Sequence, residues 1–393
     1  MILRFLSSHK GLLYITLGNL LGATATGAFW LLLAFIQDAD DYGKTNYDIS
    51  MASLAASAAL LGLNTTVTTY LAKGSSKVHV QSNQVILISG VIAAIIVASF
   101  DWILGFFVIG MVFWMMSTYE LLGRKMYKQY AFVNIGARAS QLFLSVLLYY
   151  LLGITGIAIG FTISFLIFSQ RYFISARQFS MDFSELKNKI KFSLNIYSFN
   201  MSNAFLLYFD KLVIAPLFGY AVLGYYQLGF QFLLFLGMIP ISFYQYLIPE
   251  ESSGLKKRRL RFLGLLVSIG LTAMLFLASP WILEHLFPHY TASLNSMRIL
   301  SIGIIPMMIV WTLNSKFVNI GVTKYVLFGS AIYLILQISL IFYLGKTMNV
   351  IGLALAVVLA LVAQASFLFV SDKYLAQKKK KNNNYNNNSQ DNP

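Results

Sequence analysis

Four polar residues, Asn134, Arg138, Gln141 and Ser145, interrupt an apolar stretch at spacings of four, three and four. On an α-helix that spacing puts all four on one face. An arginine aligned with two amides can bind anions and sugar hydroxyls. Its planar fork matches phosphate oxygens, and an amide both donates and accepts. A second series, Ser193, Asn200, Asn203, Asp210 and Lys211, falls within about 100° of arc if helical. Asp210 and Lys211 are the adjacent charges in "LLYFDKLVIAPLFGYAVLGYY" (206–226). Side chains next to each other on a helix point apart. Each is therefore expected to meet water or a group on another helix, with a structural pair and a substrate contact both open. Asn19, in "GNLLGATATG", and Asn64, in the series Ser50, Ser53, Ser57, Asn64 and Thr68, complete the candidate binding residues. Helix packing is the alternative role for both, since small and hydroxyl residues commonly serve it in membranes, with Gly18 and Gly22 beside Asn19 forming a small-xxx-small surface.

Covalent chemistry finds little support. There is no cysteine, which removes disulfides, thiol nucleophiles and thiolate metal sites. The histidines do not gather on one helix, and Pro288 separates His285 from His289, so no metal site and no cofactor are expected. Glu120 and Arg124 have the i, i+4 spacing of a local helix pair, with proton coupling as the alternative for Glu120.

The elements that must hold these residues are membrane spans. Apolar residues make up 58% of 393 positions, charged residues only 11%, and the mean hydropathy is +0.70. Soluble domains carry about a quarter charged residues, so this surface is not built for water. Apolar runs of about 20 residues recur at 12–36, 49–71, 85–101, 103–122, 131–152, 154–174, 192–217, 221–248, 260–283, 295–315, 324–344 and 349–371. These predict an all-α membrane protein of twelve spans, with no segment left for a sizeable soluble domain. The first run is long and has no cleavage site before a soluble segment, so it is read as a span rather than a signal peptide. Arg138 lies roughly 12 Å into the fifth span. A central arginine facing lipid costs about 2.5–3.5 kcal/mol on insertion scales, which favours a protein- or water-facing position. Snorkelling to the headgroups is the alternative.

Charge sets the expected orientation. Apart from Lys44, Arg138, Lys211, Arg298 and Lys346, all of the 29 basic residues fall at one side, from Arg4 to Lys378–Lys381. The first loop on the other side, "QDADDYGKTNYD", holds four aspartates and one lysine. By the positive-inside rule both termini are cytoplasmic in a plasma-membrane protein. The net charge of +15 then faces anionic lipid rather than nucleic acid. The tail 378–393, "KKKKNNNYNNNSQDNP" from Lys378, reads as disordered.

The chain also echoes itself. A shift of 181 positions puts Asn19 on Asn200 and Gly43 on Gly224. "DWIL" (101–104) resembles "PWIL" (280–283), read at matching hairpins, and Gln141 resembles Gln337. Two parallel six-helix bundles follow, 1–176 and 177–377, joined by the charged linker 176–191. Paired halves around a midplane site are a usual transporter plan. Pro216, Pro240, Pro249, Pro280, Pro288 and Pro306 all fall in the second half, so bending is expected there.

The segment "YFDKLVIAPLFGYAVLGYYQLGFQF" pairs a late Asp-Lys with a glycine-containing turn before "LGYY". It resembles the second-half signature of Wzx-type polysaccharide flippases, members of the multidrug/oligosaccharidyl-lipid/polysaccharide transporter superfamily. "DDYGKTNYDIS" followed by "LGLNTTVTTYLAKG" looks like the matching first-half pattern. The resemblance covers residues 10–375. It implies a V-shaped bundle of two six-helix halves around a central cavity that opens alternately to either side. It further implies translocation of polyprenyl-diphosphate-linked oligosaccharide to the outer leaflet, with membrane lipids as surroundings and no enzymatic step. A coupling ion and glycan-assembly enzymes are partners it allows. Arg138, Asn134, Gln141, Asn200, Asn203, Asp210, Lys211, Asn19 and Asn64 would then bind substrate. Only Arg138 and Lys211 are convincing intramembrane bases, with Asp210 offsetting one. A cation-coupled exporter of the same superfamily is the first rival, but it calls for acids among the first six spans, where only Glu120 is found. A membrane-embedded glycosyltransferase is the second, and it calls for acids beside a large outer loop.

Overall fold

A computed structural model describes residues 10–388 apart from 179, 181, 253–257 and 321. Arg4, Lys256, Lys257 and the last five residues of the tail lie outside the described residues. The chain forms α1 (Lys10–Ile36), α2 (Ala39–Ala59), α3 (Leu63–Ala72), α4 (Ser76–Ala98), α5 (Trp102–Gly123), α6 (Tyr127–Leu152), α7 (Ile154–Ile167) and α8 (Gln170–Ala176). A short α9 (Ser184–Lys187) precedes α10 (Ile190–Phe218), α11 (Tyr220–Ser252) and α12 (Arg258–Leu286). A 3-10 turn (Pro288–Ser293) leads to α13 (Leu294–Ile302), α14 (Ile304–Asn319) and α15 (Lys324–Asn388). No strand occurs among the described residues.

Nine helical stretches among the described residues are long and apolar enough to cross a bilayer. The bent pairs α2–α3, at 47°, and α7–α8, at 56°, add two more. The non-helical backbone of Asn349, φ 50° and ψ −131°, divides α15 into two. Each of the twelve expected spans thus has its counterpart in an all-α fold.

Two boundaries differ from the sequence reading. Most of "QDADDYGKTNYD" is helix rather than loop, because Asp38 accepts from the Asp41 amide at 2.9 Å and caps α2. Asp40 and Asp41 in the first turn suit the positive end of the helix dipole. Asp101 does stand at a turn, where it accepts from the Ile103 amide at 2.8 Å. Its proposed counterpart Pro280 instead lies inside α12, which runs on to Leu286. The likeness of the two "WIL" tetrapeptides therefore does not mark equivalent hairpins. Helix α15 continues to Asn388, into the stretch read as a disordered tail.

Contacts divide the chain into two compact units, Met1–Gly224 and Tyr225–Pro393. The seventh span, α10, packs on α2 and α3 and so belongs to the first unit. In that unit α1 lies along α6, α6 along α7, and α5 among α3, α4 and α7. Phe107, Trp114, Phe161 and Phe165 interlock at centroid distances of 5.0–6.0 Å. Apolar side chains such as Ile88, Ile92, Ile95 and Ile96 of α4 remain exposed, as a lipid-facing stripe requires. Hydroxyls inside the spans satisfy themselves locally, for example Thr26 and Ser57 on the carbonyls four residues back. In the second unit α12 packs on α13 and α14, and α14 on α15. Val310, Leu313 and Phe317 meet Val326, Ala365 and Leu368 there, and Lys316 pairs with Asp372.

Candidate functional site

The first unit holds an open cavity of about 500 Å³. Two seams build it. Along the first, Gly18 and Gly22 of α1 take Ala131 and Asn134 of α6 into close contact, as the small-residue spacing predicts. A methyl added at Gly18 would stand 3.0 Å from the Ala131 α-carbon. That approach lets Asn134 Nδ2 donate to the Gly18 carbonyl at 3.1 Å, and the Tyr130 hydroxyl donate to Asn19 Oδ1 at 2.6 Å.

The second seam depends on the break between α2 and α3. Gly62 there has φ +72°, a left-handed conformation that costs glycine little. A methyl at Gly62 would collide with the α10 backbone at Ser193 and Tyr197. The break leaves the Ala59 carbonyl free, and Ser89 Oγ donates to it at 2.7 Å. With α10 seated this closely, Asn200 Nδ2 donates to Asn64 Oδ1 at 3.4 Å, and the Thr66 and Ser193 hydroxyls share a 2.9 Å bond.

Six of the nine candidate residues meet in this cavity: Arg138, Asn134, Asn200, Asn203, Asn19 and Asn64. Gln141 stands behind them, accepting from Arg138 NH1 through Oε1 at 3.1 Å. The Arg138 guanidinium carbon lies 4.8 Å from the Trp114 ring centroid, a cation–π contact. Arg138 is the only charged residue among the described residues that line the cavity. Trp114 Nε1 and Gln141 Nε2 are buried and have no hydrogen-bond acceptor among the described residues. Two buried donors next to Arg138 thus have no acceptor among the described residues.

Asp210 and Lys211 do not line the cavity. Both are almost fully buried, and Lys211 Nζ donates to Asp210 Oδ1 at 2.8 Å and to the Leu207 carbonyl at 2.8 Å. The expectation that neighbouring side chains diverge is thus corrected. The long lysine stem folds back along its own helix far enough to reach the adjacent carboxylate.

Sequence reasoning missed the aromatic wall formed by Trp114, Tyr119, Tyr130 and Tyr208. Its signal was present in α5, where Met111, Trp114, Met115, Thr118 and Leu122 follow helical spacing. Aromatic residues in a span are read as lipid-facing or core unless a polar face points at them. A second polar centre was only half anticipated. Glu120 does bind Arg124 at 2.7 Å, but it also takes Arg171 at 2.9 Å, Ser175 at 2.8 Å and His79 at 3.3 Å. The basic end of the first unit is thus tied together across α4, α5 and α8.

No protein-family model and no curated protein matches the chain. Solved structures do. Lipid II flippase MurJ, in an inward closed conformation, aligns over 92% of this chain and 87% of its own, with TM-score 0.69 and 15% identity. An inward-facing multidrug resistance MATE family transporter of the MOP superfamily aligns over 93% and 96%, with TM-score 0.68 and 17% identity. A eukaryotic MATE transporter aligns over 93% and 95%, with TM-score 0.62 and 14% identity. This is the MurJ–MATE fold. At such identities the likeness concerns the fold alone, that of multi-pass membrane proteins. Within the MurJ–MATE fold of this chain, the cavity described above belongs wholly to the first unit.

Proposed function

We propose that the chain is a flippase of Wzx type, moving polyprenyl-diphosphate-linked oligosaccharide across the plasma membrane by alternating access. The carrying observation is that Arg138 faces a cavity lined by no carboxylate among the described residues, amid amides and aromatic rings. A guanidinium with no acid beside it is available for phosphate oxygens. Asn19, Asn64, Asn134, Asn200 and Asn203 offer donors and acceptors to sugar hydroxyls, and Trp114, Tyr119 and Tyr208 offer flat apolar faces to sugar rings. The prenyl chain stays in lipid, and no bond is made or broken. In this reading residues 1–176 and 177–377 are the two halves of the transport cycle, both termini are cytoplasmic, and the lipid-linked substrate is the main partner. The likeness to MATE transporters keeps a cation-coupled exporter as the second reading. It is disfavoured because no acid lines this cavity among the described residues.

The test is reconstitution. Proteoliposomes holding the full chain should flip a fluorescent prenyl-diphosphate sugar faster than protein-free vesicles. Arg138→Gln should slow this about tenfold or more, the scale of one lost charge-assisted bond. A wild-type chain that flips no such lipid but exports organic cations would overturn the proposal in favour of the exporter.

A further inference from the structure

The seam between α3 and α10 continues past the cavity toward the lysine-rich end of the first unit. Tyr70 stands six residues beyond Asn64 on α3, about 9 Å along the axis. Its ring meets Phe192 of α10 edge-on at 5.5 Å. Two ammonium groups converge on that one ring. Lys73 Nζ lies 5.3 Å from its centroid and Lys189 Nζ lies 5.0 Å from it. The two nitrogens are therefore no more than about 10 Å apart. One lysine follows α3 and the other precedes α10, so only the packing of these two helices brings them together.

Neither lysine has an ion pair or hydrogen bond among the described residues, and both reach the surface. At the same end Arg124 and Arg171 are held by Glu120, whereas these two lysines share one ring. Two like charges held around one ring repel each other, and an anion beside them lowers that cost. Ammonium groups are compact point charges that suit the spread charge of a phosphate better than a neutral sugar. Asn64 and Asn200, which follow on the same two helices and bond to each other, carry no charge.

We propose that Lys73 and Lys189, gathered on Tyr70, form an anion site that takes the phosphate oxygens of the transported lipid before they reach Arg138. The inference rests on the flippase reading and adds a first station to it. In this proposal the diphosphate occupies the two sites in turn. The phosphate of an ordinary bilayer lipid has the same chemistry, and the experiment separates the two sources.

Full-length protein in neutral phosphatidylcholine nanodiscs is titrated with farnesyl diphosphate, with Arg138→Gln as a parallel variant. The Lys73→Gln/Lys189→Gln variant should bind at least about tenfold more weakly. Its thermal unfolding should match wild type, because both side chains are surface groups, and Lys73→Arg/Lys189→Arg should bind like wild type. Wild-type affinity in the glutamine variant, with Arg138→Gln weakened, overturns the lysine site while leaving the flippase reading in place. No binding by wild type overturns both. A loss seen only for phosphatidylglycerol, with farnesyl diphosphate unaffected, assigns the lysines to bilayer headgroups and overturns the proposal.

Discussion

Gly43 and Gly224 lie backbone to backbone. A methyl added at Gly43 would stand 2.9 Å from the Gly224 nitrogen and would collide with the Tyr220 carbonyl. A methyl added at Gly224 would collide with the Ala39 carbonyl. The contact is reciprocal, since each glycine sits four residues into its helix and faces the carbonyl that opens the other. The glycines matched by the 181-residue shift are thus each other's packing partners at the starts of α2 and α11.

Because backbone atoms oppose them, neither glycine tolerates a side chain without a helix shift. Gly43→Ala and Gly224→Ala should each destabilise the protein by about 3 kcal/mol, the upper range for overpacking. The double variant should cost less than the sum, since one shift relieves both clashes. Unfolding in detergent measures this, and additive losses would mean that the two sites are independent.

Arg138 offers a finer test of the cavity. Arg138→Lys keeps the charge but loses the guanidinium's fork toward Gln141 beside Trp114. Lipid flipping should fall between wild type and Arg138→Gln. If lysine restored full activity, charge alone would be the requirement.

The Asp210–Lys211 pair is expected to act through stability. Asp210→Asn strips the charge facing a lysine only 4% exposed, a change that costs about 3–5 kcal/mol when the partner stays buried. Folded protein should become scarcer while flipping per folded molecule stays unchanged. Wild-type stability with lost flipping would instead place the pair on the substrate path.

Glu120 should be the most sensitive member of its network. It is 1% exposed and holds three basic groups, whereas Arg124 is 37% exposed. Glu120→Gln should destabilise by about 3–5 kcal/mol, but Arg124→Gln by no more than about 1 kcal/mol. Thermal unfolding of the two variants decides the ranking.

The sequence by itself determined the solvent and most of the fold. With so few charges and repeated long apolar runs, helices crossing lipid are the arrangement that leaves no backbone group unsatisfied. Helical spacing was also enough to put Asn134 and Arg138 on one face of α6 and Asn200 and Asn203 on one face of α10, and to foresee the Gly18–Gly22 seam. Contacts between helices were not legible in this way, because periodicity gives the face of a residue but not what stands opposite. Only the tertiary structure decided that Trp114 lies against Arg138 and that Gln141 supports the arginine from behind. It also decided that Arg171 and His79 join Glu120, and that Lys211 turns back onto Asp210 instead of reaching the cavity. Lys73 and Lys189 stand 116 positions apart, and only the packing of α3 on α10 brings both to Tyr70.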